Sequence, residues 1–565
     1  MRKKTKILLI GLLLGGFVLS SCIFDPNNPI FSFPTSSTTD DTSTITTDDT
    51  TSTTTDDTST VTTDDTTSSS SDDTTSTTTD DTSSVTTDDI TSSITDDSTS
   101  STTDEPNYDN YYRSEIVDPY FNYQDLLKAD DLNSIPTPRT DLNILVIPVE
   151  FSDYRFTTKK INDLKTVFNG TAAQTNYWES VASFYQKSSF NKVNINFTVA
   201  DVYDSGHTAR SASNLTAWYT YYFSTILLRN AVDNYKLKKS TKPFDKDGDG
   251  FIDAVWLIYS CPNAGESQSI ANISEDYWAY VYWDYLQDPS TNSPNASVYA
   301  WASYDFMYYN GNTSKLDAHT YIHETGHLFG LDDYYNYDTN SSDGPMGGLD
   351  MMDHNVIDHN VWSKMSLGWT QPYVVTGDAI ITINPSQVNG DSILLANNWN
   401  GTSFDEFLML ELYTPTGLNE LDSSTRYLEV YPRGFTIPGI RMYHVDSRLG
   451  LFSPYGNFVQ YGHPIRDNLI TSNGSYFGVA HSNTPSYSQN NNRLLHMIQA
   501  GKKNTYKSGW TGTNADLFQA GNIFTMEDYS VFFRSKKLNN GENLNYQIEF
   551  LSVTSSEATI KFTKI

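Results

Sequence analysis

The 565-residue sequence is poor in positive charge. Lys and Arg together number 36, against 68 Asp and Glu, and the formal net charge is −32. No basic patch is apparent, and such a patch is the feature on which nucleic-acid binding depends. We therefore expect no nucleic-acid partner.

Long apolar runs are also scarce. The one such run, residues 7–19, directly follows a short basic segment at the start of the chain. This order is typical of a secretory signal. The run ends in Leu-Ser-Ser-Cys, which resembles a bacterial lipobox and implies cleavage after residue 21 and diacylglycerol on Cys22. We expect an exported protein, anchored by this lipid to the outer face of the cytoplasmic membrane. An uncleaved segment and a freely secreted protein remain alternatives.

Cysteine is nearly absent, with two in the chain. If Cys22 carries the lipid, Cys261 has no partner for an internal disulfide. The rigidity of an exported protein must then come from a large core and bound ions. We interpret Cys261 as a buried structural residue, and a thiolate that inhibits a metal site is the weaker alternative.

Residues 22–107 lack the apolar residues that a core requires. Acidic pairs recur every eight residues from Asp40-Asp41 to Asp104-Glu105, and Ser and Thr fill most of the space between them. Such a segment cannot offset its ordering entropy, and its charges repel one another. We expect an extended stalk that holds the folded part away from the membrane, with calcium chelation by the Asp pairs as a weaker interpretation.

The strongest chemical signal is HETGHLFGLDD, residues 323–333. On a helix, His323 and His327 lie one turn apart on one face and can bind one metal ion. Glu324 lies beside them, where it can act as a general base on water. Gly330 permits a sharp exit from the helix, so that Asp333 can return as a third ligand. Three protein ligands and a water are typical of a catalytic zinc site.

The third ligand can be argued by exclusion. No Glu occurs between Glu324 and Glu406, so a glutamate ligand from a second helix shortly downstream is excluded. Asp333 is the best candidate, since carboxylate oxygens bind zinc readily. His319, one turn before the motif, is interpreted as a flanking residue rather than a ligand. The weaker alternatives for the third ligand are Asp332, Asp350 and Asp353.

A glycine-rich turn, residues 344–355, follows the motif and carries Met351 and Met352. A methionine turn beneath zinc is a hallmark of metzincin metalloproteases, and we assign that role to Met352. An ordinary turn with buried methionines is the alternative. Either of Tyr334 and Tyr335, just past Asp333, is a candidate donor to a substrate oxyanion.

Several segments together resemble the immune-inhibitor-A-type family of secreted bacterial metalloproteases. Besides residues 323–333 and 344–355, the similar segments are HNVWSKMSLGW (359–369), NILVIPVEFSD (143–153), SVASFYQKSSFNKVNI (180–195), DEFLMLELYTPTG (405–417), PGIRMYHVD (438–446) and ADLFQAG (515–521). The resemblance spans roughly residues 140 to 540.

The resemblance implies a zinc-dependent, calcium-stabilised endopeptidase that hydrolyses proteins or peptides. The implied zinc ligands are His323, His327 and Asp333, and the implied general base is Glu324. The alternative function is a catalytically inactive surface adhesin that displays its aromatic-rich C-terminal region.

A second metal site is indicated by DKDGDGFID, residues 245–253. Its carboxylates repel one another unless a cation binds between them, and hard oxygen ligands favour Ca²⁺. Phe251 is expected to add its backbone carbonyl. Position twelve of the loop is Trp256 instead of the usual Glu, and the sequence that follows predicts a buried strand. The predicted carboxylate ligands are Asp245, Asp247, Asp249 and Asp253.

These patterns predict an α/β, metzincin-like catalytic domain followed by a β-rich, sandwich-like domain. Alternating apolar residues predict strands after residue 371, with few helices. The predicted divisions are a signal peptide (1–21), the stalk (22–107), a pro-segment or N-terminal extension (108–140), the catalytic domain (141–370) and the C-terminal domain (371–565).

Overall fold

Helices and strands alternate in the first half of the folded chain, and strands dominate the second half. The structure is a computed structural model. It describes residues 107–114, 123–129, 132–215, 223–263, 277–338, 340–464, 468–480 and 482–565. The predicted signal peptide, Cys22 and the stalk up to residue 106 lie outside the described residues. Among the described helices, none has the length and apolar character needed to cross a membrane.

Short helices surround the strands. They are α1 (Tyr123–Ala129), α2 (Thr158–Asn169), α3 (Ala172–Thr175), α4 (Val181–Ser188), α5 (Ala209–Ala212), α6 (Phe223–Lys236), α7 (His319–Leu328), α8 (Met351–His354), α9 (Val361–Ser366), α10 (Ser386–Asn389) and α11 (Glu420–Ser424).

The strands divide into two groups along the chain. The first group is β1 (Asp109–Arg113), β2 (Arg139–Glu150), β3 (Val193–Val199), β4 (Tyr203–Asp204), β5 (Phe251–Ile252), β6 (Val255–Tyr259), β7 (Tyr280–Trp283), β8 (Asn295–Ala296) and β9 (Val298–Ser303). The second group is β10 (Tyr373–Ile383), β11 (Ile393–Leu395), β12 (Glu406–Tyr413), β13 (Gly439–Asp446), β14 (Leu449–Phe452), β15 (Phe458–Tyr461), β16 (Ile470–Thr471), β17 (Gly474–Gly478), β18 (Leu495–Ile498), β19 (Ile523–Phe524), β20 (Tyr546–Val553) and β21 (Ala558–Lys564).

A largely parallel sheet forms the centre of the first half. Its strand order is β3-β2-β6-β9-β7, with β4 also paired to β2. The pairs β2–β3, β2–β6 and β6–β9 are parallel, and only the β7–β9 pair along this order is antiparallel. Parallel neighbours need crossover connections, and helices lie in those between β2 and β3 and between β3 and β6. The structure therefore confirms a mixed α/β arrangement.

Both faces of this sheet are covered, because alternate residues of β2, β6, β7 and β9 enter different cores. In β2, Ile144 and Val146 pack with α2, α4 and α7, whereas Leu145 and Ile147 pack with α6. Strand β6 follows the acidic loop and is buried along its whole length, as the sequence predicts. Near-continuous apolar strands are expected where a parallel sheet is buried on both faces.

Helix α7 is fixed to the sheet through Tyr321. Its ring lies 5.3 Å from that of Phe168 and 5.4 Å from that of Trp256, and its hydroxyl donates to the Ser303 carbonyl at the end of β9. Residues two positions further along a helix point to a different side. This packing therefore turns His323 away from the sheet and towards the segment that follows the helix.

The second half is built on a nine-stranded sheet. Eight of its strands follow the order β18-β13-β12-β11-β10-β21-β20-β19, and β1 is the ninth, paired with β10. In β12, Met409 contributes to the core that contains α7, while Leu408 and Leu410 face a second core. Strands β14–β17 form a separate four-stranded sheet. The strands predicted after residue 371 are confirmed, whereas the sandwich arrangement stays a prediction.

The core continues across the predicted domain boundary near residue 370. Met352 and Trp362 share one hydrophobic cluster with Met409 and Tyr443. The described residues from 107 onwards accordingly belong to one compact unit. The boundary marks a change from mixed to strand-rich structure rather than a gap in packing.

The segment before residue 140 contacts both halves. Strand β1 pairs antiparallel with β10, more than 250 residues away in sequence. The Ile135 amide donates to the Leu328 carbonyl over 2.8 Å, and the Gln124 side chain donates to the Phe329 carbonyl. These bonds satisfy carbonyls that the end of α7 leaves without helical partners. The end of the metal-motif helix thus depends on this N-terminal segment.

A buried ion pair supports the nine-stranded sheet. Arg441 and Glu411, directly opposite each other on β13 and β12, are 2.5 Å apart and at most 2% exposed. Arg441→Met would leave the Glu411 charge buried without its partner, so we expect a loss of roughly 3–5 kcal/mol in the free energy of unfolding, measured with denaturant. Lys502→Met, which removes an exposed pair with Asp528, should change it by less than about 0.5 kcal/mol. Equal effects of the two substitutions would contradict this role.

Candidate metal centre

Two histidines and one aspartate converge at a single point. The Nε2 atoms of His323 and His327 are 3.1 Å apart. Asp333 Oδ1 lies 3.0 Å from the first and 3.2 Å from the second. The three side chains are 0%, 10% and 1% exposed. The donor atoms therefore form a nearly equilateral triangle that is mostly shielded from water.

Backbone carbonyls fix the tautomers of both imidazoles. His323 Nδ1 is 2.7 Å from the Met351 carbonyl, and His327 Nδ1 is 2.7 Å from the Leu331 carbonyl. A carbonyl oxygen only accepts, so each Nδ1 carries a proton. In the neutral rings each Nε2 then presents a lone pair to the centre of the triangle. The two lone pairs and the Asp333 carboxylate oxygen face one another there.

The electrostatics of this triangle favour a positive charge. Burial lowers the pKa of His327, but the adjacent Asp333 carboxylate outweighs burial and raises it to about 9. Burial raises the pKa of Asp333, yet His327 and His323 hold it below its usual range. A group of donors that stabilises an imidazolium also stabilises a metal cation, which would displace the proton.

The spacing of the donor atoms fits a divalent metal. Ligands at 2.0–2.1 Å in a tetrahedron are about 3.3 Å apart, close to the observed edges. His323, His327 and Asp333 are one of two groups among the described residues whose ligand atoms lie within 4.8 Å of one another. Three donors leave a further coordination position for solvent or substrate.

The alternative aspartates have other partners. Asp350 Oδ1 accepts from the Met352 amide, and its Oδ2 accepts from the amide and side chain of Asn360. Asp353 accepts from the Gly348 amide and contacts His354 Nδ1 at 2.6 Å. Asp332 is not in the converging group. Of the aspartates that the sequence offers, the structure brings Asp333 to the histidines.

The local backbone explains why Asp333 can reach them. Helix α7 ends at Leu328, and Gly330 follows with a φ of +103°, which reverses the chain direction. Residues other than glycine rarely adopt this backbone conformation. Glu324, beside His323 on α7, is fully buried. Burial raises the pKa of Tyr185 well above its usual value, and nearby carboxylates that include Glu324 add to the effect.

The predicted methionine turn lies against α7. Met352 and Met351 are fully buried in α8, and the Met351 carbonyl orients His323. A Cβ at Gly326 would lie 2.4 Å from the Met352 sulfur, so a larger residue here would force the Met352 side chain to shift. The Met352 carbonyl also accepts from the Tyr334 amide, directly after Asp333. The turn thus supports the first and the third of the converging residues.

His319 takes no part in the triangle. Its Nδ1 is 2.7 Å from Asp317 Oδ1, and its Nε2 is 3.3 Å from Asp422 Oδ1. Its ring stacks between those of Trp178 and Tyr427, at 4.2 and 4.0 Å. Burial lowers its pKa, but the two aspartates outweigh this and raise it to about 9. The residue therefore joins α7 to α11 as a buried imidazolium.

Of the tyrosines after Asp333, the sequence singled out Tyr334 and Tyr335, but the structure shows a bond from a third. The Tyr337 hydroxyl donates to Asp333 Oδ2 over 2.6 Å. Tyr334 is fully buried, and its hydroxyl contacts Ser363 Oγ at 2.6 Å. No spacing rule distinguishes three tyrosines within four residues, so sequence reasoning missed Tyr337.

The acidic loop brings some of its predicted ligands together. Asp245, Asp247 and Asp253 form the second group of candidate metal ligands among the described residues. Asp245 Oδ1 and Asp253 Oδ2 are buried without hydrogen-bond partners. Such orphaned oxygens are costly unless a cation or water satisfies them.

Two predicted members of that loop are placed differently. Asp249 Oδ1 accepts from the Phe251 amide, and its Oδ2 accepts from the Asn133 side chain, both over 2.9 Å. Asp249 is not in the converging group. Phe251 begins β5, and its carbonyl remains a predicted ligand. Cys261 is buried and lies in neither group, and burial raises the pKa of its thiol, which favours the structural interpretation.

Comparisons with known proteins add little. No family model matches the chain, and no curated protein matches it. The crystal structure of metalloproteinase-II from Bacteroides fragilis is similar at 16% sequence identity with a TM-score of 0.17. The match covers 36% of this chain and 46% of that chain, so this chain spans less than half of the metalloproteinase. At this TM-score the likeness carries no information on fold or function.

The His319 contacts predict a pH-dependent stability. Because its pKa is about 9 in the folded chain and ordinarily 6.5, the stabilisation is complete below pH 6.5 and is lost as the pH rises through 9. The shift corresponds to roughly 3 kcal/mol. We expect the free energy of unfolding to fall by this order between pH 6.5 and 9, and to fall less in His319→Gln. The same pH profile in both proteins would rule out the buried imidazolium.

Proposed function

We propose that the protein is a zinc metalloendopeptidase of the cell surface. The observation that carries the proposal is the triangle of His323 Nε2, His327 Nε2 and Asp333 Oδ1, with edges of 3.0 to 3.2 Å. Two imidazoles and one carboxylate with an open position are a donor set typical of catalytic zinc. The buried Glu324 beside them provides a base of the kind that peptide hydrolysis requires.

His323, His327 and Asp333 would hold the zinc. When bound, zinc would supply Lewis acidity, which makes water more acidic and polarises a substrate carbonyl. Glu324 would accept a proton from the attacking water and deliver it to the leaving amine. Its position on α7, next to His323, keeps it on the rigid element that also carries two of the ligands.

The substrates we propose are extracellular proteins or peptides. The signal sequence and the lipobox-like Cys22 support export and a lipid anchor, and the acidic repeats support a spacer between membrane and enzyme. A catalytically inactive adhesin is the competing function. The burial of an intact Glu324 beside the triangle favours the enzyme.

Replacement of the proposed base gives a direct test. Glu324→Gln keeps the size of the side chain but cannot accept a proton, so casein cleavage should fall at least about 10²-fold. Zinc content, measured by elemental analysis, should stay the same as in the wild type. Glu527→Gln, an exposed substitution, is the control and should leave both unchanged. Full cleavage by Glu324→Gln would refute the mechanism, and a zinc-loaded wild type that cleaves no protein would favour the adhesin.

We also propose that the acidic loop binds calcium. The support is the group of Asp245, Asp247 and Asp253, with two buried oxygens left without partners. Hard carboxylate oxygens suit Ca²⁺. The loop lies against the N-terminal segment, since Lys128 contacts Asp247 at 2.6 Å and Asn133 donates to Asp249. Calcium here would have a structural role.

The pKa of Asp253 predicts how calcium and pH interact. Burial raises it to about 8. Without calcium, this carboxyl destabilises the folded state progressively as the pH rises from about 4 to 8, because it ionises more readily in the unfolded chain. Calcium requires the ionised form, so the increase in Tm on calcium addition should be larger at pH 8 than at pH 5.

Asp253→Asn should remove most of that increase, and Asp528→Asn, on an exposed carboxylate, should retain it. Zinc is kept constant and Tm is measured by calorimetry with calcium or a calcium-selective chelator. A calcium response in Asp253→Asn as large as in the wild type would contradict the site.

A further inference from the structure

The two oxygens of the Asp333 carboxylate have different partners. Its Oδ1 faces the two imidazoles, and its Oδ2 accepts the 2.6 Å hydrogen bond from the Tyr337 hydroxyl. A bond of this length to an ionised oxygen is strong and directional. It fixes the rotation of the carboxylate and occupies the oxygen that could otherwise turn towards the same point. A ligand held in this way offers one oxygen, not two.

Tyr337 is in turn held by the C-terminal half of the chain. Its amide donates to Thr484 Oγ1 over 2.8 Å. The neighbouring Asn483 side chain donates to the Tyr334 carbonyl over 2.7 Å and accepts from the Leu495 amide, at the start of β18, over 2.9 Å. Asn483 and Thr484 are both fully buried. The loop that carries the third ligand is thus bonded at two points to residues 483 and 484, and Asn483 bonds in turn to β18 of the nine-stranded sheet.

We propose that Tyr337 is a positioning residue that restricts Asp333 to one-oxygen coordination, and that Thr484 and Asn483 make the C-terminal half a part of the metal centre. The inference rests on the proposed metallopeptidase function and specifies how its metal site stays open. A bidentate aspartate would occupy the position that solvent or substrate needs. Partners of this kind typically contribute 10–100-fold to metal affinity.

Tyr337→Phe removes only the hydroxyl, so it tests the proposal with little risk to folding. We expect zinc affinity, measured by competition with a chromogenic chelator, to fall about 10–100-fold. The Tm of the metal-free protein should stay within the range of the control. Tyr529→Phe is that control, because it removes a tyrosine hydrogen bond of 3.0 Å to the Ala500 carbonyl.

Substitution of cobalt for zinc gives a readout that a merely structural role would not change. If the hydroxyl prevents a second oxygen from binding, cobalt in Tyr337→Phe should gain a ligand. Its visible absorption should then be weaker than in the wild type and in Tyr529→Phe. An unchanged cobalt spectrum would overturn the one-oxygen role.

A double-mutant cycle separates the two halves of the proposal. Thr484→Val keeps the shape of the side chain but removes the oxygen that accepts from the Tyr337 amide. It should weaken zinc binding in the wild type and have little further effect in Tyr337→Phe, since both act through one residue. Additive losses would overturn the link to the C-terminal half.

The zinc stoichiometry of the wild type shows whether the positioning role alone is wrong or the proposed function is wrong as well. A wild type that binds one zinc and cleaves casein, with a Tyr337→Phe variant that binds zinc equally tightly, would overturn the positioning role alone. A wild type that binds no zinc would overturn the proposed function, and the positioning role with it.

Discussion

The structure depends on three electron-pair donors that face one another in a buried site. Carbonyls direct the lone pairs of His323 and His327 inwards, and Asp333 adds a negative charge at 3.0 and 3.2 Å. Without a cation, such an arrangement is repulsive, and burial strengthens the repulsion. A proton on His327 relieves part of it, and a divalent metal would relieve all of it. The arrangement therefore favours a bound cation, as the proposed zinc site requires.

Distant parts of the chain hold these donors in place. The α/β sheet sets the rotation of α7 through Tyr321, and the N-terminal segment satisfies the carbonyls at its end. The turn at Met351 orients the first histidine, and the loop at Tyr337 orients the aspartate. Because that loop is attached to β18 through Asn483, the two halves act as one scaffold. This agrees with a core that continues past residue 370.

Local patterns predicted the parts of the structure that local forces determine. The helix over residues 323–328, the reversal at Gly330 and the buried strand after the acidic loop follow from periodicity and from backbone preference. The mixed α/β arrangement and the strand-rich second half also followed from the sequence.

Contacts between distant residues could not be predicted. A single sequence contains no signal that β1 pairs with β10, that His319 pairs with Asp422, or that Asn133 donates a hydrogen bond to Asp249. Tyr337 was missed for the same reason, since its role depends on where Thr484 holds its backbone. Burial and non-local hydrogen bonds, and not residue type, distinguish these residues from their chemically equivalent neighbours.

X-ray absorption at the zinc edge of the purified protein would report directly on the proposed ligands. We expect one zinc per chain, with two imidazole nitrogens and one or two oxygens at about 2.0–2.1 Å and no sulfur. A shell of sulfur at about 2.3 Å, or the absence of zinc from a protein that still digests casein, would contradict it.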